Sequence, residues 1–158
     1  MKQFYLFMFC LALFGAGCQI NSTTPTESPV ETPAAGSGLD LSGRGLTSIP
    51  SDVFSQIELV RLDLSDNRLT GAPQAEIRHL QKLQFLDLSG NDLTGLPAEL
   101  GQLRTLEVLD VSDNQLTGLP LELGNLTQLR ILDLSGNDYS KQDFDQIATK
   151  LPNTEIRR

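Results

Sequence analysis

The sequence predicts an α/β solenoid, in which repeated units stack and each unit adds one short strand to a parallel sheet. One observation is a nine-residue pattern that occurs four times in the 158-residue chain, at residues 59–67, 83–91, 106–114 and 129–137. Another is the spacing of the leucines at the centre of the pattern. They recur every 23 or 24 residues, as Leu39, Leu62, Leu86, Leu109 and Leu132. A fixed period of this size indicates stacked repeats rather than one mixed core.

Each repeat begins with a short strand. Apolar and polar residues alternate in every copy, as in Leu132-Asp133-Leu134, and this alternation predicts a strand with one buried face. Consecutive copies would pair side by side in a parallel sheet on the concave side, about 4.8 Å apart. A degenerate copy at residues 39–42 opens the series, and Arg44 stands at its asparagine position.

An asparagine closes each full copy, at the point where the chain must turn out of the strand. Its side-chain amide carries both donors and an acceptor, so it can satisfy backbone groups on both sides of such a turn. We therefore expect a buried, hydrogen-bonded ladder formed by Asn67, Asn91, Asn114 and Asn137.

The second half of each repeat predicts a short helix or 3₁₀ turn on the convex side. A proline suited to a first helical position stands at Pro50, Pro73, Pro97 and Pro120. Apolar pairs spaced three residues apart, as a short helix or 3₁₀ turn requires, follow as Phe54 and Ile57, Ile77 and Leu80, Leu100 and Leu103, Leu123 and Leu126.

The two halves together resemble the leucine-rich repeat family, whose units read L-x-x-L-x-L-x-x-N-x-L. The ending L-P-x-x-L-x-x-L of its 23-residue repeats is matched at residues 96–103 and 119–126. The resemblance covers residues 38 to 139 and implies a solenoid with a concave sheet. It implies little about function, because that scaffold binds very different partners.

The tail predicts a C-terminal cap at about residues 140–158. Ser140 and Asp143 resemble a capping box. The apolar residues that follow are spaced as one face of an amphipathic helix, at Phe144, Ile147 and Leu151. A last edge strand is expected at residues 154–157.

The first 37 residues predict export and a tether. Residues 1–17 have the positive start and short apolar run of a secretion signal. The small residues before Cys18 resemble a bacterial lipobox, in which the cysteine is lipidated. Gly15 departs from that pattern, which usually has leucine there, and ordinary signal peptidase would also suit this bond. Residues 18–37, rich in proline, threonine and serine, predict a disordered linker, and residues 38–158 the repeat domain.

Cys18 is therefore the predicted lipidation site and membrane anchor. It is the only cysteine left after signal removal, so we expect no internal disulfide. Acyl chains on it would hold the protein on a membrane. Because Gln19 is not the aspartate that resembles an inner-membrane retention signal, we favour the outer membrane of a bacterial cell envelope. A secreted protein without lipid is the alternative.

Outward strand residues would form rows on the concave face. One row consists of Asp40, Asp63, Asp87, Asp110 and Asp133. This row would be a cation site or an acidic groove for a basic partner. The alternative, which we favour, is that the aspartates are part of the usual strand sequence of the family and bind nothing.

A second row begins at Gly38 and continues with Arg61, Phe85, Val108 and Ile131. Its apolar members, expected to be at least partly exposed, suit protein binding, although linker cover or strand packing would also explain them.

The residue pattern does not favour a catalytic site. The only histidine, His79, falls in the outer half of a repeat, away from the aspartates, so no Ser-His-Asp set can converge. No grouping has the spacing of metal ligands, and we expect no cofactor.

The net charge and the rows of residues on the concave face together favour a binding module. The charge of −8 argues against nucleic acid as a partner. The leading hypothesis is a monomeric, lipid-anchored module that binds a protein on its concave face, with a glycan as second choice. The alternatives are a structural or spacer lipoprotein without a specific ligand and, behind it, an enzyme that uses the aspartate row.

Overall fold

The computed structural model describes residues 37–158. The predictions for residues 1–36, which include the signal peptide, Cys18 and most of the linker, concern residues outside this described part.

The described residues form a solenoid built on one parallel sheet. Its strands and those of a small second sheet are β1 (Ser37–Asp40), β2 (Leu59–Asp63), β3 (Thr70–Gly71), β4 (Phe85–Asp87), β5 (Asp92–Leu93), β6 (Val108–Asp110), β7 (Ile131–Asp133) and β8 (Glu155–Arg157). The main sheet runs in the order β1-β2-β4-β6-β7-β8, and β3 pairs with β5. Ser37 belongs to β1, where it pairs with Leu59, and not to the linker as predicted.

The central leucines of the repeats stack in register across the sheet. Leu62, Leu86, Leu109 and Leu132 pair strand to strand, and each is fully buried. Burying one such side chain contributes about 1.5–3 kcal/mol. Leu39, in the first strand, is only half-buried, because no described repeat precedes it. The predicted parallel sheet on the concave side is therefore confirmed.

Short 3₁₀ helices form the convex side, as predicted. They span Ser51–Ser55, Ala75–His79, Ala98–Gln102 and Leu121–Asn125. The prolines, however, do not occupy the first helical position. Pro50 immediately precedes its helix, and its carbonyl accepts the first hydrogen bond, from the Val53 amide at 3.1 Å. Proline suits this place because its backbone is already extended and it has no N–H to satisfy.

One predicted apolar pair is wrong. Val53 occupies the helical position of Ile77 in the next repeat, and Ile57 is 58% exposed. The apolar residue is shifted by one position in the first repeat. The residue that directly follows the helix is the buried Leu80 in the second repeat and Gln56 in the first. Ile57 lies one residue further along, where the other repeats carry polar side chains.

Two glycines allow the convex helices to lie close together. A β-carbon at Gly101 would overlap the backbone carbonyl of Glu122 in the next helix. One at Gly124 would instead meet the Lys150 side chain, at 2.5 Å from its Cδ. The equivalent positions in the first two repeats hold larger side chains, Phe54 and Arg78. Close packing of the convex side is therefore built around Gly101.

A helix closes the C-terminal end of the core. Helix α1 (Lys141–Lys150) begins after Ser140, whose hydroxyl accepts from the Asp143 amide. The predicted capping box is only half formed, because Asp143 Oδ2 instead accepts from Leu119 N at 3.4 Å. Ile147 is buried against the last repeat, and β8 extends the sheet by pairing with β7.

Candidate functional site

The concave face carries the second predicted row in register. Arg61 pairs with Phe85, Phe85 with Val108, and Val108 with Ile131. The structure adds Glu155 beside Ile131 in the same row. The sequence analysis did not include Glu155 in the row. The signal was Ile156, which stands one repeat period after Leu132 and therefore places Glu155 beside Ile131.

The expected exposure of this row is wrong for two of its members. Phe85 and Val108 are each only 8% exposed. The Arg61 guanidinium covers the Phe85 ring, with Cζ 3.4 Å from the ring centroid, and Val108 is packed between neighbours one strand spacing away. Of the four side chains predicted to form this row, the two that remain accessible are therefore Arg61, whose side chain is 37% exposed, and the half-buried Ile131.

The aspartate row has an internal structural role. Asp87 Oδ1 accepts from the amide of Ser89 at 3.0 Å and from its hydroxyl at 2.6 Å. The same pair of hydrogen bonds recurs in all five aspartate–serine pairs. These bonds hold the chain as it leaves each strand, which accounts for the repeated L-D-L-S pattern without a bound cation.

The outer carboxylate oxygens are neutralised only towards the ends of the row. Arg61 approaches Asp63 Oδ2 at 3.7 Å, and Arg157 of the last strand approaches Asp133 Oδ2 at 3.9 Å. Among the described residues, the central Asp87 and Asp110 form no ion pair. Burial raises the pKa of Asp87, the Ser89 hydrogen bonds lower it, and the neighbouring carboxylates Asp110 and Asp63 raise it further. The middle of the concave face is thus acidic and lies between two arginines.

Each asparagine joins two repeats. Asn91 Nδ2 donates to Leu88 O at 3.0 Å in its own repeat and to Leu64 O at 3.0 Å in the preceding one. Its Oδ1 accepts from Leu69 N at 2.9 Å. The same pattern recurs at Asn67, Asn114 and Asn137.

Burial of these asparagines depends on their place in the stack. Asn67, Asn91 and Asn114 are buried, whereas Asn137, which was expected to be buried as well, is half-buried. Asn137 is the last of the series, and no further repeat covers it. These side chains connect repeats rather than face a ligand.

Other candidate chemistry finds no support in the described part of the chain. His79 is exposed at the end of a convex helix, whereas the aspartates lie in the strands of the concave sheet. Residues 37–158 contain no group of acidic, histidine or cysteine side chains that would hold a metal ion. Within the same range, no helix has the length and apolarity needed to cross a membrane.

Comparisons with known proteins agree on the repeat. The family model described as "Leucine-rich repeat region" matches residues 54–153. Leucine-rich repeat-containing protein 3 of Bos taurus is 35% identical over 86 residues, covering 54% of this chain and 30% of that protein. The chain therefore spans about a third or less of the length of the first curated relatives it matches.

Solved structures show the same architecture. A leucine-rich repeat protein of Leptospira interrogans superposes with a TM-score of 0.67 at 39% identity, covering 71% of this chain and 28% of that chain. The complex of BIR3 with SERK2 from Arabidopsis thaliana gives a TM-score of 0.59 at 40% identity, covering 65% of this chain and 56% of that chain. Since the family model matches well over half of the 158 residues, the chain belongs to the leucine-rich repeat family.

Proposed function

We propose that this chain is a recognition module that binds a protein partner on its concave face. The observation that carries the proposal is the Arg61 guanidinium, held over the Phe85 ring with Cζ 3.4 Å from the ring centroid, in a side chain that is still 37% exposed. A stacked guanidinium is already ordered before binding, so less side-chain entropy is lost at the interface. Arginines in such settings are common centres of binding energy. The likeness to the BIR3–SERK2 complex adds support for a protein partner over a glycan.

The charges of the face favour a partner with basic groups. Asp87 and Asp110 lie between the two arginines and have no ion pair among the described residues. A partner's lysine or arginine above them would relieve the repulsion between the two carboxylates. Such charges act mainly on the rate of association and on its salt dependence. We therefore expect Asp110→Asn to slow association at low salt and to change little at high salt.

The binding proposal is tested by matched substitutions on a partner identified by affinity capture with the full chain. Arg61→Ala and Ile131→Ala are each expected to weaken binding by about 1 kcal/mol or more, measured by titration calorimetry. The controls are Arg104→Ala and Ile57→Ala, which remove the same residue types at exposed positions away from the concave face.

The proposal fails if the two controls weaken binding while the Arg61 and Ile131 substitutions leave it unchanged. A chain that captures no partner from its own cell or surroundings favours the spacer function instead. Phe85→Ala is unsuitable as a binding test, because this buried side chain also contributes to folding.

We also propose that Cys18 is lipidated and anchors the module to the bacterial cell envelope, with the outer membrane favoured. The support is the run of small residues before Cys18 and the absence of another cysteine after the signal. Cys18→Ser should release the protein from the membrane fraction while its circular dichroism spectrum stays unchanged. Metabolic labelling with a fatty-acid probe is the direct measurement, and an unlabelled wild-type protein would contradict lipidation.

A further inference from the structure

The first strand of the sheet presents an edge that another chain could use. Among the described residues, β1 pairs only with β2, and Ser37, Gly38 and Asp40 are exposed. An unpaired edge strand is a template for pairing with a second chain. The opposite edge ends in β8, where Arg157 places a long cationic side chain against the face. The edge at β1, named the free edge here because no described strand pairs with it, carries an arginine too, Arg44.

Arg44 stands where the other repeats have asparagine, but its side chain is not needed in the ladder. Asn67 already serves the first turn, because its Oδ1 accepts from the backbone amides of Arg44 and Leu46, each at 3.0 Å. Asn67 Nδ2 also donates to Leu41 O at 2.9 Å. With no described repeat before it, an asparagine at position 44 would have no preceding carbonyl to bind.

The Arg44 side chain turns instead to the free edge. The Leu41 amide donates to Asp63 O, towards β2. Backbone groups of successive strand residues point to opposite sides, so the carbonyl of Asp40 faces away from β2. Arg44 Nη2 donates to this carbonyl at 2.9 Å. The guanidinium therefore occupies an acceptor that an added strand would need.

We infer that Arg44 prevents a second copy of this chain from pairing with the free edge of the sheet. Without it, β1 of one copy would pair with β1 of another in an antiparallel, twofold-related contact, the commonest symmetry of homodimers. Arg44 opposes this contact in two ways. It occupies the Asp40 carbonyl, and in a twofold dimer it would bring two like charges together.

The test compares the full chain with Arg44→Ala and with Arg44→Asn, which restores the residue of the other repeats. Both variants should self-associate, so that the weight-average mass in sedimentation equilibrium rises towards twice the wild-type value with concentration. Their midpoints of unfolding at low concentration should match that of the wild type, because Arg44 is exposed. The control is Arg68→Ala, which removes the same charge from another exposed position and should leave the mass unchanged.

Hydrogen exchange locates the contact. In the associated variants, the amides of Ser37–Asp40 should become protected, and those of the opposite edge at Glu155–Arg157 should not. The inference is overturned if Arg44→Ala keeps the wild-type mass at every concentration, if Arg68→Ala associates equally, or if protection appears away from β1.

Discussion

Replacing Asn114 with alanine should lower the free energy of unfolding by roughly 3 kcal/mol or more, because several buried backbone groups lose their partner at about 1–3 kcal/mol each. Asn114 Nδ2 donates to Leu88 O, Val111 O and Ser112 O at 2.9–3.1 Å. Its Oδ1 accepts from Leu93 N at 3.0 Å. The side chain is buried, so water cannot readily replace these bonds. Urea unfolding followed by circular dichroism gives the measurement.

Asn137 provides the matched control for this prediction. It makes the equivalent hydrogen bonds to Val111, Leu134, Ser135 and Leu116, but it is half-buried at the end of the series. Water can solvate the groups that Asn137→Ala leaves behind, so its loss of stability should be about half that of Asn114→Ala or less. Equal losses for the two variants would show that burial of the ladder does not determine its contribution.

The second large effect is expected at Gly101. Gly101→Ala places a methyl group against the backbone of Glu122, with the carbonyl carbon at 2.7 Å. Backbone atoms cannot rotate away, so the helices Ala98–Gln102 and Leu121–Asn125 must separate. The expected cost is about 2–3 kcal/mol, at the upper end of the range for an added core methyl group.

Gly124→Ala is the comparison that isolates the cause. The new methyl group meets only side-chain carbons of the exposed Lys150. The nearest, Cδ at 2.5 Å, moves away with a change of rotamer, and Cβ at 3.1 Å requires only a small shift of the backbone. Its cost should therefore be below about 1 kcal/mol, with part of it offset by the better helix propensity of alanine. Thermal melts of the two variants make the comparison, and a smaller loss for Gly101→Ala than for Gly124→Ala would contradict the account of convex packing.

The repeat period predicted the strands because their interactions depend only on sequence spacing. A strand places Leu62 and Leu86 in the same layer whatever surrounds them, and an asparagine at the end of the strand meets the same backbone groups in each copy. The short helices were harder to predict. Their buried positions are set by where each helix begins, so the assignment of Ile57 to the core was wrong by one register step, as Gln56 shows.

The candidate site was predicted in its membership but not in its exposure. The period placed Arg61, Phe85, Val108 and Ile131 in one row. Whether Phe85 is exposed depends on the conformation of the neighbouring Arg61 side chain. The repeat period does not predict the conformation of such a flexible side chain. The role of Arg44 at the edge was equally hidden, because its contact with Asp40 depends on the direction of one carbonyl.

Crosslinking from two matched positions tests recognition by the concave face most directly. Glu155 lies in register with Ile131 on the concave sheet, Glu122 lies in a convex helix, and both are exposed. A photoreactive residue placed at either position leaves the core and Arg61 unchanged, and the one at position 155 also removes the carboxylate that accepts from Arg157 Nε at 2.8 Å. Mass spectrometry of the irradiated complex should find the partner attached through position 155 and not through position 122. Attachment through position 122 alone would contradict recognition by the concave face.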